Sequence, residues 1–354
     1  MTSRPAEEVV LVSSAEFALK SSPVRRTLEQ RLVDDLRFVL RNANIQCSSI
    51  DRVAGRIIIR GIDNAQKAAQ AITKVFGVAH AIPAVTVAGS MDSILSAIRL
   101  VATETLTYGQ SFAVRCHGSA TTTFSSRSVE REAGSQILKA LADRKIRVNL
   151  DHPDVTISVA LAGEMAYLYT TRYDGPGGLP LSSQWKMLGL LDSFLSLFAA
   201  YVMMRRGCLT QLLIPCSDTE TRFQTDRQIQ LARKLRQFVT REKYPAFILE
   251  IDKMPQSIGL LRHLALEFAK ERRFRGVIFA DVRGSIAFDT SISKRSRELG
   301  LPIFYPLIGL EETELSNLGN SLGVEWRASE DGPLQCTHAN EFHLPVTRIT
   351  EISL

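Results

Sequence analysis

Basic residues surround the start of a predicted helix near the N-terminus. Pro23 suits the first turn of a helix, and apolar residues recur at helical spacing from Val24 to Val39. Four basic residues lie just before this apolar stripe or off it: Lys20, Arg25, Arg26 and Arg31. For any one of them a solvated helix face is the simpler explanation. Together, at a helix start, they predict a site for phosphate groups.

Cys336 is the cysteine whose neighbours best suit a reactive thiol. His338 and His343 follow it, and a nearby histidine can lower the pKa of a thiol. We favour the alternative, a cysteine without special reactivity in an irregular segment, because a reactive thiol needs an exposed, electropositive setting. The three residues offer no fourth ligand at a clear spacing, so no metal site is predicted.

The apolar stretch Lys186–Cys208 contains an early group of polar residues, Asp192, Ser193 and Ser196. The stretch is about long enough to cross a bilayer, but the charge of Asp192 would be costly in hydrocarbon. A buried strand, a turn and a helix fit the stretch better. We therefore predict no membrane span and place the polar residues in the turn.

The composition is that of a globular protein with a mild preference for polyanions. The 354 residues suffice for two or three domains. The net charge is +6, and most of the basic excess lies in residues 1–85. Five cysteines form no CxxC pair, which argues against a zinc ribbon and a disulfide framework. The first residues show no signal-peptide pattern, so a cytoplasmic location is expected.

Two small α/β units are predicted before residue 175. In the first, strands near Val9–Ser14, Gly55–Arg60 and His80–Val87 alternate with helices, as in a ferredoxin-like sheet. In the second, two helices accompany a strand and a hairpin. The Gly- and Pro-rich segment Arg172–Pro180 marks a boundary. The predicted domains are residues 1–85, 86–175 and 176–354.

Strands alternate with helices from Lys186 onward. This order predicts a parallel, doubly wound sheet. Ligands bind such sheets at the C-terminal ends of the strands. The loop Leu191–Leu195, which follows the first of these strands, is therefore the predicted nucleotide position.

Several stretches, taken in order over nearly the whole chain, resemble the tRNA 4-thiouridine synthetases, also called tRNA sulfurtransferases. They are EFALKS (Glu16–Ser21), FGVAHAIP (Phe76–Pro83), VEREAG (Val129–Gly134), PDVTISV (Pro153–Val159), AYLYTTR (Ala166–Arg172), GPGGLP (Gly175–Pro180), AAYVMMRRGC (Ala199–Cys208) and PLIGLEETEL (Pro306–Leu315).

The resemblance implies an N-terminal ferredoxin-like unit and a THUMP domain that together bind the acceptor end of tRNA. Ten residues on or near the matching segments are the candidate RNA contacts: Lys20, Arg25, Arg26, Arg115, Phe124, Ser125, Ser126, Arg127, Arg131 and Arg172. The alternatives are that Phe124 belongs to the core and that Arg131 pairs with Glu130 or another acid. Many family members are dimers, so a homodimer, or a complex with an intact homologue, is expected.

The resemblance also implies a PP-loop domain that uses ATP to adenylate uridine 8 of tRNA, after which a cysteine persulfide delivers sulfur. The family's loop reads SGGxDS, and its glycines let backbone N–H groups approach phosphate. The segment Leu191–Ser196 has no glycine, and Phe194 and Leu195 add bulk. Ala280–Asp289 only loosely matches the segment that closes over the nucleotide. The residues of this degenerate nucleotide site are Asp192, Ser193, Ser196, Asp281 and Gly284.

Three functions follow. The first, which we favour, is a tRNA-binding protein that has lost adenylation and has no cofactor. The second is an active sulfurtransferase with Cys336 as sulfur carrier and with ATP chemistry from an unusual loop or a partner subunit. The third keeps only the fold, with another ligand.

Overall fold

The computed structural model describes residues 7–14, 16–17, 20–53, 55–120, 124–217, 222–251, 258–282, 290–325 and 346–354. The chain divides into two compact units. The first comprises Met1–Leu19, Leu36–Thr73 and Val78–Gly175, and the second comprises Lys20–Asp35, Lys74–Gly77 and Pro176–Leu354. The domain boundaries at residues 85 and 175 stay predictions.

The described residues before Pro176 form short strands and amphipathic helices. In chain order they are β1 (Glu7–Ser13), α1 (Ser22–Asn42), β2 (Ser49–Val53), β3 (Arg56–Arg60), α2 (Ala65–Ala71), β4 (His80–Ala88), α3 (Met91–Thr105), β5 (Ser111–Ala120), α4 (Ser126–Ala140), β6 (Arg147–Val148), β7 (Val155–Gly163), β8 (Met165–Tyr169) and β9 (Tyr173–Asp174).

These nine strands belong to one sheet. Its order is β2-β3-β1-β4-β8-β7-β5-β6, and β9 pairs with β4. Strand β4 is central because it pairs antiparallel with β1 (Leu11 opposite Ile82) and with β8 (Thr86 opposite Tyr167). The ferredoxin-like prediction is confirmed, but it omitted β2, so the order is β-α-β-β-α-β.

Helices α3 and α4 cover one face of the strands β5, β7 and β8. Their apolar residues, such as Ile98 and Val129, pack on Phe112, Val159 and Leu168. Strands β5 and β7 are parallel and closely packed, and a Cβ at Gly118 would lie 2.2 Å from the Leu161 carbonyl oxygen. Successive side chains of a strand point to opposite faces of the sheet, so every second residue of β5 faces these helices.

The described residues of the chain from Lys186 onward alternate strand and helix. They form β10 (Lys186–Leu190), α5 (Leu195–Arg205), β11 (Leu209–Ser217), α6 (Arg222–Arg236), β12 (Pro245–Ile251), α7 (Ile258–Glu271), β13 (Val277–Ile278), α8 (Thr290–Leu299), β14 (Ile303–Phe304), α9 (Glu312–Leu322) and β15 (Val346–Ser353).

The second sheet has the order β14-β13-β10-β11-β12-β15. Strands β10 to β14 are parallel, as predicted. Strand β15, which was not predicted, adds an antiparallel edge beside β12. One face of the sheet packs on α5, α6 and α9, and the other packs on α7 and α8.

The stretch Lys186–Cys208 is a strand followed by a helix, as the polar residues within it predicted. Strand β10 is buried at the centre of the sheet, and most residues of α5 are buried as well. In the described part of the chain, no helix has the length and apolar character needed to cross a bilayer.

Candidate functional site

The strand order of the parallel sheet reverses beside β10. From β10 the chain proceeds through α5 to β11 on one side, and it later returns through α7 to β13 on the other side. Such a reversal opens a crevice at the C-terminal ends of the two strands, where doubly wound sheets bind ligands. Asp192 follows β10 and Asp281 follows β13. We call this place the switch-point crevice.

Asp192, Ser193 and Ser196 are bonded to one another at the start of α5. The Ser196 hydroxyl donates to Oδ1 of Asp192 at 2.6 Å and accepts from the Ser193 N–H at 3.2 Å. The hydroxyls of the two serines lie 3.1 Å apart. The loop thus uses its polar groups internally, including one backbone N–H at the helix N-terminus.

Phe194 occupies the position before the first helical residue of α5. Its backbone is already helical, and its side chain makes no capping hydrogen bond. Its ring packs edge-on against Phe198, with centroids 5.3 Å apart, and it contacts the core beneath α5. The ring of Phe194 therefore belongs to the apolar packing around α5.

Arg262 of α7 forms a buried ion pair with Asp281. Its Nη2 donates to Oδ1 at 3.0 Å and to Oδ2 at 2.8 Å, and the two side chains are 9% and 4% exposed. The guanidinium carbon lies 4.8 Å from the centre of the Phe279 ring. Among the described residues, Nε of Arg262 has no hydrogen-bond partner.

Asp192 is coupled to the same guanidinium. Burial raises the pKa of Asp192, while the hydrogen bond from Ser196 and the charge of Arg262 oppose that shift and Asp281 adds to it. Burial by itself would lower the pKa of Arg262, but the carboxylates of Asp281 and Asp192 bring it above its ordinary value. The crevice thus holds two carboxyl groups around one arginine.

The remaining predicted members of this site lie outside the described residues. They are Gly284 and the candidate sulfur carrier Cys336, with His338 and His343. Of the candidates within the described ranges, the structure brings together Asp192, Ser193, Ser196 and Asp281. Arg262 was not predicted, because apolar periodicity alone does not identify a buried cation within a helix. Its position among Ile258, Leu261 and Ala265, on the apolar side, was the available signal.

The predicted phosphate contacts at the start of α1 belong to the second unit. Lys20 and Arg26 are exposed. Arg25 forms an ion pair with Glu29 one turn later, with Nε 3.7 Å from Oε1. Arg31 donates to the carbonyl of Ser182 and therefore has a structural partner. Of the four predicted phosphate contacts, Lys20 and Arg26 are therefore the two best placed to bind a phosphate group from solvent.

Ser125 and Ser126 stabilise the start of α4. The Ser125 hydroxyl accepts from the Ser128 N–H at 3.2 Å, which makes it the N-cap. Ser126 is hydrogen-bonded to the Cys116 thiol, which is buried. Phe124 packs partly buried against the core of this unit. The Phe124 contact agrees with the alternative that this residue belongs to the core, and the roles of all three residues in RNA binding stay predictions.

Arg127 and Arg131 are exposed on the first turns of α4. Within the described part of the chain, neither has a carboxylate at ion-pair distance, and Glu130 instead accepts from the Cys116 N–H at 2.8 Å. Arg115 is exposed and donates to the Leu150 carbonyl. Arg172 lies 3.5 Å from Asp174. Of these four arginines, Arg127 and Arg131 of α4 are therefore the two best placed to bind a phosphate group.

Two family models match the first half of the chain. The model of the ThiI ferredoxin-like domain matches residues 9–81, and the model of the THUMP domain matches residues 88–171.

Solved structures show the same fold. A structure from Pyrococcus horikoshii is 24% identical and has a TM-score of 0.70, with 90% of this chain and all of that chain covered. A 4-thiouridine synthetase, crystallised as an RNA complex with bound ATP, is 20% identical and has a TM-score of 0.71, with 90% and 85% covered.

Two archaeal relatives match over most of their length. A probable tRNA sulfurtransferase of Methanosarcina acetivorans is 31% identical, with 89% of this chain and 81% of the relative covered. That of Methanosarcina mazei is 30% identical, with 89% and 82% covered. Identity at this level over this length, together with the two matched domains, establishes that the chain belongs to the tRNA sulfurtransferase family.

Proposed function

We propose that this chain is a tRNA-binding protein that does not adenylate its RNA. The observation that carries the proposal is the ion pair of Arg262 with Asp281 in the switch-point crevice, beside Asp192. The crevice is the nucleotide position of this fold, and its charged groups already neutralise one another.

The charge of the crevice disfavours a polyphosphate. Two like charges 4 Å apart repel by about 4 kcal/mol at an effective dielectric of 20, so the Asp281 carboxylate, once separated from Arg262, would oppose an incoming phosphate. Arg262 could bind phosphate only by leaving Asp281, and uncoupling a buried pair costs about 3–5 kcal/mol. The loop offers no glycine from Leu191 to Ser196, so its backbone gives no replacement nest.

The proposed tRNA contacts lie on the first turns of α1 and α4. Lys20, Arg26, Arg127 and Arg131 are exposed cations at or near these helix N-termini, where phosphate groups are favoured. The THUMP match spans α4. We propose that the predicted domain 1–85 and the domain 86–175 bind the acceptor end of tRNA, and that residues 176–354 form the degenerate PP-loop domain.

An active sulfurtransferase remains the second candidate, because the relatives are named tRNA sulfurtransferases. In this alternative Cys336 carries the sulfur, and an unusual loop or a partner subunit provides the ATP chemistry. A homodimer, or a complex with an intact homologue, is part of either proposal.

Two binding measurements on the purified full-length chain test the proposal. We expect a tRNA transcript to bind with an affinity that falls steeply with salt. We expect no binding of Mg²⁺-ATP in equilibrium dialysis, with or without tRNA. Saturable binding of Mg²⁺-ATP by the wild-type chain would overturn the proposed loss of the nucleotide site. Absence of tRNA binding at low salt would overturn the RNA function.

A further inference from the structure

A pocket of about 720 Å³ lies at the N-terminal edge of the parallel sheet, the edge opposite the switch-point crevice. Its lining residues come from the segments that precede β10, β13 and β14. They include Trp185, Lys270, Arg273, Phe274, Arg275 and Leu301. We call it the Trp185 pocket.

Trp185 exposes its side chain from a fixed backbone position. The residue is 60% exposed, although its carbonyl accepts from the Leu209 N–H at 3.1 Å and the preceding Gln184 N–H donates to Gly207 at 3.0 Å. Burial of an indole is strongly favourable, so an exposed tryptophan on ordered backbone is a candidate contact for a partner.

Three cationic residues line the pocket together with this tryptophan: Lys270, whose ammonium donates to the Leu299 carbonyl at 2.7 Å, Arg273 and Arg275. The segment from Lys270 to Arg275 carries Lys270, Arg272, Arg273 and Arg275 against Glu271 alone. The nearby carboxylates of Glu267 and Glu298 are both bonded to Arg295, at 2.5 and 3.0 Å.

Lys186, beside the tryptophan, holds its Nζ 4.2 Å from the centre of the Phe274 ring. Burial lowers the pKa of Lys186, and the charge of Arg272 adds to this shift while Glu351 opposes it. The basic residues of this surface outnumber the acidic ones, so it carries a net positive charge.

The backbone of Arg273 adopts a conformation that favours glycine. Its φ is +56°, and it lies two residues after the end of α7, where the Phe274 N–H donates to the Ala269 carbonyl at 2.9 Å. Glycine is the usual residue at such a helix end, and a side chain there costs on the order of 1 kcal/mol.

We propose that the Trp185 pocket is a second RNA contact of this chain, with Trp185 stacked on an unpaired base and the flanking cations on the adjoining phosphates. This inference rests on the proposed tRNA-binding function. An exposed aromatic ring among cations is the arrangement by which proteins hold single-stranded RNA segments. A protein partner would instead favour a wider apolar surface with fewer charges.

Fluorescence anisotropy of a labelled tRNA transcript with the full-length protein tests the inference. Trp185→Ala should weaken binding about five- to 140-fold, since stacking of one base has that range of effect. Arg273→Ala with Arg275→Ala should also reduce the slope of log K against log salt by about 1.4 to 1.8. The matched control removes two exposed cations from the other face of the sheet, Arg227→Ala with Arg233→Ala, and should leave the affinity within about twofold.

A second readout uses the emission of Trp185 itself. The chain has two tryptophans, Trp185 and Trp326, so Trp326→Phe leaves one reporter, which stacking on a base should quench. Wild-type tRNA affinity of Trp185→Ala, together with unquenched Trp185 emission of Trp326→Phe when tRNA binds, would overturn this inference. Binding of tRNA elsewhere on the chain would then stay intact. Failure of the wild type to bind tRNA would instead overturn the proposed function. Loss of a dimer on Trp185→Ala, in sedimentation without RNA, would show a contact between copies and also overturn the inference.

Discussion

Arg262 and Asp281 face each other across the C-terminal ends of β13 and its neighbours, with one guanidinium nitrogen bonded to both carboxylate oxygens at 3.0 and 2.8 Å. Both side chains are buried. A buried pair of this kind is stabilising only while both partners are present, because either one alone is an uncompensated charge. The pair therefore fixes the crevice in a state in which this arginine is already neutralised and is not available to phosphate.

Removal of one partner of this pair should destabilise the fold. Arg262→Met leaves the Asp281 carboxyl buried without its partner, and we expect a loss of about 3–5 kcal/mol in the free energy of unfolding. Urea denaturation followed by circular dichroism measures it. The double variant Arg262→Met with Asp281→Leu should recover part of that loss, since it removes the Asp281 charge and leaves only the Asp192 carboxyl buried. Equal stability of wild type and Arg262→Met would contradict the burial of the pair.

Asp35 should make the stability of the second unit depend on pH. Burial raises its pKa to about 7, against the hydrogen bond from Thr240 and the charges of Arg31 and Arg241, with Asp34 adding to the rise. Thr240 donates to Oδ1 at 2.5 Å, and Oδ2 is buried without a partner among the described residues.

Because the folded state holds this proton more tightly than the unfolded state does, the stabilisation is complete below about pH 4 and is lost as the pH rises toward 7. The loss is on the order of 4 kcal/mol. Asp35→Asn cannot titrate, so its free energy of unfolding should fall less between pH 5 and pH 8 than that of wild type. Parallel pH profiles of the two proteins would rule out the buried acid.

Sequence patterns predicted the order of most elements because apolar periodicity decides which segments can bury a face. Strand β2 was missed because SIDRV carries two charges and exposes Arg52 and Val53. Strand β15 was missed because the apolar residues of Val346–Ser353 recur every third position rather than every second, so they give no strand pattern. Its pairing with β12 is a long-range contact that local sequence does not encode.

The candidate site was predictable only in part, for a similar reason. Absence of the loop glycines is visible in the sequence, as is the acid Asp192 in an apolar stretch. The partner of Asp281 is not visible, because Arg262 lies on α7 and Asp281 follows β13, so the two meet only when the helix packs against the sheet.

Arg127 and Arg131 should contribute to tRNA affinity by neutralising phosphates. Replacing both with alanine should weaken binding and lower the slope of log K against log salt by about 0.9 for each phosphate that is no longer neutralised. Filter binding across a range of KCl concentrations measures both quantities. Lys139→Ala, an exposed cation in the last turn of the same helix, is the control and should behave like wild type. An unchanged salt dependence in the double variant would exclude these arginines from the interface.

Ser125 allows the structural role of a residue to be separated from its role in binding. Ser125→Ala removes the N-cap and should cost about 1 kcal/mol of stability. Ser125→Asp keeps a capping oxygen but adds negative charge at the start of α4, so stability should hold while tRNA affinity falls. Thermal unfolding and tRNA binding of the two variants give the comparison. If Ser125→Asp binds tRNA as wild type does, RNA phosphates do not approach this helix start.

The central claim is that this member of the family binds tRNA without performing the thiolation. The most direct measurement is mass spectrometry of the nucleoside at position 8 in tRNA from cells with and without the gene. We predict the same content of 4-thiouridine in both. Loss of 4-thiouridine on deletion, restored by the wild-type gene and not by Cys336→Ala, would contradict the claim and establish an active sulfurtransferase.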